Sequence, residues 1–276
     1  MSDSLRVNQN IGALLVHHNL VGTSGKLGKS LERLASGLRI NRSSDDAAGL
    51  ALSEKLRAQV RGLDMAVRNT QDGISILQVA ESALASVSSI LQRLRELAVQ
   101  GANDTWSAGE RSNIKTEIDQ LVDDLNRVAA NTEFNNVTLL DGSIATTPLT
   151  LQVGANAGQV LGFTIATMDS TTLKVHDLKV DTAANASTAI ASIDAAIDIA
   201  TTQRADKGAV ENRLEQVIFN LTSASQQQRI AESRIRDLDV ARETIELVRQ
   251  QILQQTGVAA LAQANVSPRA VLALFA

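Results

Sequence analysis

The 276-residue sequence contains no cysteine, which excludes disulfide bonds, thiolate metal sites and cysteine nucleophiles. Aromatic residues are scarce as well, at 2% of the chain against 44% for hydrophobic residues as a whole. Compact domains of this size normally fill their cores and binding pockets with aromatic side chains. We therefore expect Leu, Ile, Val and Ala to pack along thin helix–helix seams instead of forming a thick core.

Proline is equally rare, with only Pro148 and Pro268, so almost nothing interrupts helices. No apolar run approaches the roughly 18 residues of a membrane span, and the N-terminal residues lack the pattern of a cleaved secretory signal. We therefore expect no membrane insertion. A net charge of −4 and a pI near 5.5 argue against nucleic acid as a partner.

Charge is distributed unevenly. Residues 1–44 are predominantly basic and residues 102–143 predominantly acidic. This asymmetry is consistent with copies of the chain orienting against one another, and equally with solvated faces of unequal sign.

Apolar periodicity predicts helices over most of the chain. One set of positions is spaced by alternating steps of four and three, the seam of a helix that packs on a partner helix: Leu20, Ser24, Leu27, Leu31, Leu34 and Leu38. Further helical runs are predicted at about 45–70, 77–98 and 110–130, with connections at 69–73 and 101–109. From 189 to 264 the same spacing continues without proline, which predicts one continuous helix with a bend near 226–237 as an alternative.

The sequence pattern changes at about 140–180, where a small β-hairpin region is predicted. Asp141-Gly142 is a hairpin-turn signal. LTLQV at 149–153 and QVLGFTIAT at 159–167 alternate apolar and polar residues, and the two LKV triplets at 173–175 and 178–180 are candidate short strands. The predicted fold class is mainly α: an elongated antiparallel helical bundle or coiled coil formed by both chain termini, with this hairpin region near the middle.

Side chains suited to catalysis or metal binding do not group in the sequence. His17 and His18 are adjacent and would diverge by about 100° on a helix, so they cannot chelate one ion together, and His176 stands alone. The pair Asp45–Asp46 precedes an apolar helical run. Ser43 and Asp46 have the spacing of a capping box, which predicts that they start a helix. No enzyme site, metal or cofactor is predicted.

Several long motifs resemble bacterial flagellin. VNQNIGALLVHHNL, LERLASGLRINRSSDDAAGLALSEKLRAQV, LQRLRELAVQGAND and EIDQLVDDLNRVAANTEFNNVTLLDG resemble the N-terminal half of that family. NRLEQVIFNLTSASQQQRIAESRIRDLDVARETIELVRQQILQQTGVAALAQAN resembles the C-terminal half. The resemblance covers about 1–142 and 189–276.

The resemblance implies a structural subunit that self-assembles into the extracellular flagellar filament for swimming. It implies export in an unfolded state by the flagellar type III apparatus. The implied partners are further copies of the chain, an export chaperone, the filament cap and hook-associated junction proteins. Both termini, 1–43 and 238–276, would form an inner coiled-coil domain, and 44–237 a second helical domain with the hairpin segment. Only about 45 residues separate the matching halves, so we expect no separate outer domains.

The resemblance also implies functional surfaces. A vertebrate Toll-like receptor reads the corresponding helix in related flagellins, and the same surface contacts neighbouring subunits; the alternative is a role in subunit packing only. The matching residues are Gln92, Arg93, Leu97, Gln100 and Glu117. A second set, expected at an interdomain junction and in subunit contacts, is Arg39, Arg42, Ser43, Asp45 and Asp46. Candidate acceptors for O-glycans are Thr146, Thr147, Ser170, Thr171 and Thr172.

Two alternatives remain at this point. A hook–filament junction protein shares the terminal pattern less fully, and a non-flagellar coiled-coil signalling rod of chemoreceptor type would need a membrane span. A polymer with enzymatic activity would need an inserted domain, for which 45 residues are too few.

Overall fold

A computed structural model describes residues 9–272 of the chain, and the side chains up to residue 266. In chain order the helices and strands are α1 (Ile11–Ser36), α2 (Ala47–Gly101), α3 (Ala108–Asn131), β1 (Glu133–Phe134), β2 (Val137–Thr138), α4 (Ser143–Thr146), β3 (Leu149–Gln152), β4 (Val160–Phe163), α5 (Ala183–Arg236) and α6 (Val240–Leu272). The predicted class is confirmed: the fold is mainly α, its terminal helices pack on each other, and short hairpins lie near the middle. Residues 1–8 and 273–276 of the predicted inner domain lie outside the described residues.

The chain divides into two compact units. Unit 1 comprises Met1–Ala58 with Gln227–Ala276, and unit 2 comprises Gln59–Gln226. In unit 1, α1 and α6 run antiparallel. Asn10 Nδ2 donates to the carbonyl of Ala264 at 2.8 Å near one end, and Arg33 approaches Glu243 within 3.9 Å near the other.

Unit 1 buries little apolar surface. Among its described residues Ile40 is the one hydrophobic side chain that is buried, whereas Leu14 and Ile245 are 65% and 64% exposed. Other large exposed hydrophobic residues on the two helices are Leu15, Val21, Leu31, Val248, Ile252, Leu253 and Val258. The paired terminal helices therefore leave apolar faces uncovered.

Unit 2 holds the hydrophobic core. Helices α2, α3 and α5 contribute buried residues at helical spacing, among them Leu84, Leu91, Ile118, Leu125 and Ile193. The order of side-chain contacts shows that α2 and α5 are antiparallel: Asp64 meets Ser225, Gln78 meets Glu211, and Arg95 meets Asp194. Among the described residues the core contains one buried aromatic residue, Phe163 from the hairpin.

The predicted connection at 69–73 is wrong, because α2 is a single helix from Ala47 to Gly101. Its glycines have a packing role instead. A Cβ at Gly62 would lie 2.8 Å from Cβ of Ala155 and 3.2 Å from its Cα, and a Cβ at Gly73 would collide with Leu151. Gly62 and Gly73 are three turns apart on one face, so together they let the β3–β4 hairpin lie directly on the helix backbone.

The hairpin predicted from LTLQV and the following segment is confirmed as β3 paired antiparallel with β4, with Leu151 opposite Leu161. The turn signal Asp141-Gly142 was misread: it begins the short helix α4. A second hairpin, β1–β2, turns instead through Asn135 and Asn136, both at positive φ. Asparagine tolerates this conformation better than other residues with a side chain.

The two LKV triplets are not strands. Leu173, Val175, Leu178 and Val180 are all buried, but the backbone between them forms turns. Lys174 has a φ of 57°, which is incompatible with an extended strand. Alternating burial alone thus imitated a β pattern in an irregular segment.

The continuous helix predicted from 189 to 264 is also wrong, because the helix breaks at 237–239 between α5 and α6, next to the bend given as an alternative near 226–237. Asp239 Oδ1 accepts the amide of Arg242 and so caps the start of α6. Leu238 donates its amide to Gly37 O at 3.0 Å, and Arg39 donates to Arg236 O at 2.7 Å. The apolar spacing continues in phase through the break, so periodicity could not reveal it.

A buried lysine joins α5 to the segment after β4. Lys207 is 5% exposed, and its ammonium donates to the carbonyl of Thr164. Burial lowers the pKa of Lys207 from its ordinary value, because the apolar surroundings disfavour the charged form. The contact links α5 directly to the backbone of the segment that follows β4.

By length and composition, one helix of the described residues, Ala47–Gly101, could cross a membrane. On composition, the prediction that no stretch is apolar enough to span a membrane was therefore wrong. Polar residues interrupt the apolar ones in this helix, but the mean hydropathy of the segment is still high enough. Leu77, Leu84 and Leu91 of this helix are buried in the core of unit 2. A core helix passes the same test, so the finding is weak evidence for membrane insertion.

We predict that Gly62→Ala destabilises the protein. The new methyl group meets Ala155, whose Cβ cannot rotate away, so the turn of the hairpin must shift at a cost of about 1–3 kcal/mol. Gly208→Ala in α5 is the matched control. Nothing lies within 4 Å of its Cβ position, and it should stabilise the helix by up to about 1 kcal/mol. Urea unfolding of both variants measures the difference, and equal behaviour would contradict the proposed close packing.

Candidate functional site

The surface shared by α2 and α3 centres on Arg93. Its Nε and Nη2 donate to Oε1 of Glu117 at 3.2 and 2.8 Å, and Nη1 donates to Glu96 Oε2 at 2.9 Å. The hydrogen bonds that Arg93 donates to Glu117, and then the one to Glu96, raise the pKa of Arg93 above its ordinary value. The guanidinium is half exposed, so this arrangement fixes its position more than it stabilises the fold.

The other residues predicted for this surface divide into two kinds. Gln92 and Gln100 are exposed beside Arg93, as Glu117 is on α3. Leu97 is 2% exposed and belongs to the core of unit 2. The structure therefore brings four of the five residues to one surface, and Leu97 supports that surface from beneath without being available for direct contact.

A groove adjoins the Arg93 surface. It has a volume of about 500 Å³ and is lined by Gln92, Arg95, Glu96 and Val99. Arg95 Nε donates to Asp194 Oδ1 of α5 at 2.6 Å, which holds the guanidinium at the edge of the groove. Val99 is 48% exposed, an apolar side chain in an otherwise polar surround.

The segment between α1 and α2 is organised by Asp45. Helix α1 ends at Gly37, whose φ of 72° is the left-handed conformation that glycine adopts without strain. Asp45 Oδ2 accepts the amides of Asn41 and Arg42 at 3.3 and 3.2 Å, and Lys29 lies 3.5 Å from Oδ1. These bonds, that from Arg42 first, lower the pKa of the Asp45 carboxyl.

The predicted capping box of Ser43 and Asp46 is wrong. Asp46 is itself the cap of α2: its Oδ1 accepts the amide of Gly49 at 2.9 Å, and its carbonyl accepts the amide of Leu50 at 3.0 Å. Ser43 is exposed and accepts no hydrogen bond within residues 9–272. A Cβ at Gly49 would collide with the Asp46 carboxylate, so glycine at the third helical position makes room for the cap.

The two arginines of this segment have different partners. Arg42 Nε donates to Glu32 Oε1 at 2.9 Å and is largely exposed. Arg39 donates through its side chain to the carbonyl of Ile235 at 2.5 Å and through its amide to Arg236. Arg39 thus links the end of α1 to the end of α5, whereas the side chain of Arg42 pairs with Glu32 of α1.

Sequence reasoning missed a network of charges in unit 1. Arg57 donates to Glu232 at 2.8 Å and to Glu54 at 3.3 Å, and Arg236 donates to the same Glu54 oxygen at 2.7 Å. The spacing of Glu54 and Arg57 on one helical face was a signal for the local pair. The partners on α5, about 180 residues away in sequence, left no local signal.

The candidate glycan acceptors are not equivalent. Thr146, Thr147, Thr171 and Thr172 are exposed, whereas Ser170 is 4% exposed. Burial makes Ser170 a poor acceptor. Within residues 9–272, no three metal-ligating side chains come together.

Comparison with protein-family models matches residues 7–145 to the bacterial flagellin N-terminal helical region and residues 190–275 to the bacterial flagellin C-terminal helical region. A flagellin of Halalkalibacterium halodurans is 47% identical over 98% of this chain and 99% of that protein. A flagellar filament 33 kDa core protein of Treponema phagedenis is 42% identical over 98% and 99%. A flagellin of Bacillus subtilis is 42% identical over 98% and 100%.

We predict that Asp46→Ala weakens the start of α2 by about 1 kcal/mol, the usual cost of removing a cap. Hydrogen exchange at the Gly49 amide, which donates to Asp46, should accelerate accordingly. Ser43→Ala is the control and should change exchange little, because its hydroxyl does not cap the helix. If Ser43→Ala accelerated exchange as much as Asp46→Ala, the capping box would be correct and this assignment wrong.

Acid should release the Asp45 contacts at a low pH. The pKa of Asp45 is lower in the folded protein than in the unfolded chain, where it is about 3.9. Its contribution to stability is therefore complete above pH 3.9 and is lost as the pH falls through the lower folded pKa. The Arg42 amide shift, followed by NMR, should titrate with a midpoint below 3.9, and Asp45→Asn should abolish that transition. A midpoint at or above 3.9 would contradict the geometry.

Proposed function

Because this chain belongs to the bacterial flagellin family, we propose that the exposed surface around Arg93 and Glu117 contacts neighbouring subunits in the filament. The chain is a structural subunit that self-assembles into the extracellular flagellar filament, and it is not an enzyme. The observation that carries the proposal is the position of Arg93: two carboxylates hold its guanidinium at the surface, half exposed and with little to gain for the fold.

The uncovered helices of unit 1 are in accord with assembly. A protein that stayed monomeric would have little reason to expose apolar residues along both α1 and α6. Burial of one such side chain against a neighbour contributes about 1.5–3 kcal/mol before the entropic cost of association. Contacts of these helices with further copies supply the apolar burial that unit 1 lacks.

The domain division is part of the proposal. An inner domain of 1–43 and 238–276 and a second domain of 44–237, with no separate outer domains, are supported by the two helix breaks at 37–46 and 237–239. Backbone hydrogen bonds join these breaks at Gly37 and Leu238. The boundary between units 1 and 2 lies somewhat further along α2 and earlier in α5 than this division. The Asp46 cap of α2 and the turn around Asp45 then stabilise the junction, and Arg42, which is exposed although paired with Glu32, contacts a neighbouring subunit.

Family membership supports further partners. These are an export chaperone, the filament cap and hook-associated junction proteins, with export of the unfolded chain by the flagellar type III apparatus. The alternatives of a junction protein and of a signalling rod are not favoured, because flagellins match this chain over almost its entire length.

Recognition by a Toll-like receptor is proposed for the same surface, through Gln92, Arg93, Gln100 and Glu117. Their exposure on one face of the monomer supports it. Leu97 is excluded from direct contact by its burial. In the filament this surface would be occupied by a neighbouring subunit, so the monomer is the form that a receptor would meet. The glycan acceptors are narrowed to the four exposed threonines.

Arg93→Ala tests the proposal. The critical concentration for polymerisation, measured by sedimentation and electron microscopy, should rise about five- to tenfold, the effect of losing an interface arginine worth about 1 kcal/mol or more. Arg127→Ala on α3 is the matched control, since Arg127 also forms an exposed ion pair three residues away, with Asp124. It should assemble within twofold of the original protein.

Receptor signalling by monomers of the same two variants separates the two uses of the surface. A loss confined to Arg93→Ala supports recognition. Normal signalling by the Arg93→Ala monomer would mean that the surface serves subunit packing and not receptor recognition. Unchanged polymerisation by Arg93→Ala would contradict the proposed subunit contact.

A further inference from the structure

Helix α5 carries a single aromatic residue, Phe219, and it points to solvent. Phe219 is 69% exposed, more than any other large hydrophobic side chain among the described residues of unit 2, where Val160 follows at 53%. Its neighbours Glu215, Gln216, Asn220 and Ser223 are exposed polar residues. An isolated phenyl ring gains nothing for folding in this position, and aromatic rings are the side chains that most often anchor interfaces.

The groove beside the Arg93 surface is suited to such a ring. Its lining residues Gln92, Arg95, Glu96 and Val99 follow helical spacing, so they form one stripe along α2. Val99 offers apolar surface, and the long side chains around it offer aliphatic stems. The guanidinium of Arg95 is held by Asp194, and a planar, positionally fixed guanidinium stacks well on an aromatic face.

Another cavity of unit 2 is less suitable. It lies at the start of α3, has a volume of about 390 Å³ and is lined largely by charged residues, namely Arg111, Lys115, Asp177, Lys179 and Asp181. Placing a phenyl ring there would desolvate these charges without replacing their hydrogen bonds. The groove at Val99 is the larger of the two and the more open, so a ring carried on the helix of a neighbouring molecule can enter it more easily.

The ring cannot reach the groove of its own molecule. Phe219 lies 25 positions beyond Asp194, the α5 residue that contacts the groove, which corresponds to roughly 38 Å along a helix. The ring and the groove must therefore meet between different molecules. Because they are different surfaces, the contact is head-to-tail, and repetition of such a contact generates an open helical polymer.

We propose that Phe219 of one subunit inserts into the groove formed by Gln92, Arg95, Glu96 and Val99 of a neighbouring subunit. The occupant is a second copy of this chain, and charge complementarity supports the pairing. Glu215 lies one turn from Phe219 on the same face and makes no ion pair in the described part of the chain. At the contact its carboxylate can share the guanidinium of Arg95 with Asp194, since Arg95 keeps further N–H donors. The inference rests on the proposed subunit contact around Arg93 and names its partner surface.

Cysteine cross-linking tests the pairing directly, because the natural chain contains no cysteine. Subunits with Phe219→Cys and subunits with Val99→Cys are mixed, polymerised and oxidised. A disulfide requires Cβ atoms about 3.5–4.5 Å apart, so only adjacent positions react efficiently. We expect dimers containing one subunit of each kind. Filaments of either variant alone, and unpolymerised mixtures, should give few.

Val160→Cys, equally accessible on the β3–β4 hairpin, replaces Val99→Cys as the matched control. If Phe219→Cys cross-links to Val99→Cys no faster than to Val160→Cys, the pairing is overturned. The comparison requires only that mixed filaments form, which electron microscopy establishes for each mixture before oxidation.

Phe219→Ala supplies an independent measurement. Its free energy of unfolding should match that of the original protein because the ring is exposed, while the critical concentration should rise about tenfold or more, as for an interface anchor. Val160→Ala should stay within twofold. If the original protein forms no filaments, the proposed function fails. If it does and Phe219→Ala assembles equally well, only this inference fails.

Discussion

Backbone hydrogen bonds between the ends of α1 and α5 join segments that are about 200 residues apart in sequence. Arg39 donates to the carbonyl of Arg236, and Leu238 donates to that of Gly37. These two bonds place the start of α6 beside the end of α1, from where the two helices continue antiparallel. The packing of the terminal helices in unit 1 depends on this joint, because neither helix can cover its apolar face without the other. Even when they are paired, the two helices cover little of their apolar surface.

The arrangement explains the unusual composition. A chain almost without aromatic residues cannot build a thick core, but it can fill thin seams with Leu, Ala, Ile and Val. Unit 2 does so around α2, α3 and α5, and it uses close backbone approach where a side chain would be too large, as at Gly62 against Ala155. Unit 1 stops short of a core. Its incomplete burial is a disadvantage to a monomer and the source of affinity between subunits. The inferred contact between Phe219 and the groove at Val99 extends the same logic to unit 2, where a single exposed ring gains its burial only in the polymer.

Sequence reasoning succeeded where the determining interactions are local and failed where they are not. The helical spacing of Leu77, Leu84 and Leu91 identified the core face of α2, because residues three and four apart share a face whatever lies opposite. Gly73 was misread as a connection, because a glycine in a helix pattern signals a break unless one knows that Leu151 packs upon it. Asp46 was correctly associated with the start of α2, but its partner was not: Ser43 had the correct spacing for a capping box, and the actual acceptor geometry joins Asp46 to Gly49. Leu97 was included in a surface because its motif lies there, and only the packing of the core shows that its side chain is inside.

What the sequence determined by itself is the class of molecule: helical, without cysteine, with no catalytic motif among its polar residues, and with long family motifs in both halves. Periodicity, composition and motif order are properties of the chain, and no folding is needed to read them. What only the tertiary structure decided is which residues meet across long separations in the chain. Three features belong to this second kind: the pairing of the break at 237–239 with the end of α1, the convergence of Arg57, Glu232, Glu54 and Arg236, and the burial of Lys207 against Thr164. Each depends on a backbone or side-chain partner brought close by the packing of helices, and a one-dimensional pattern carries no record of that distance.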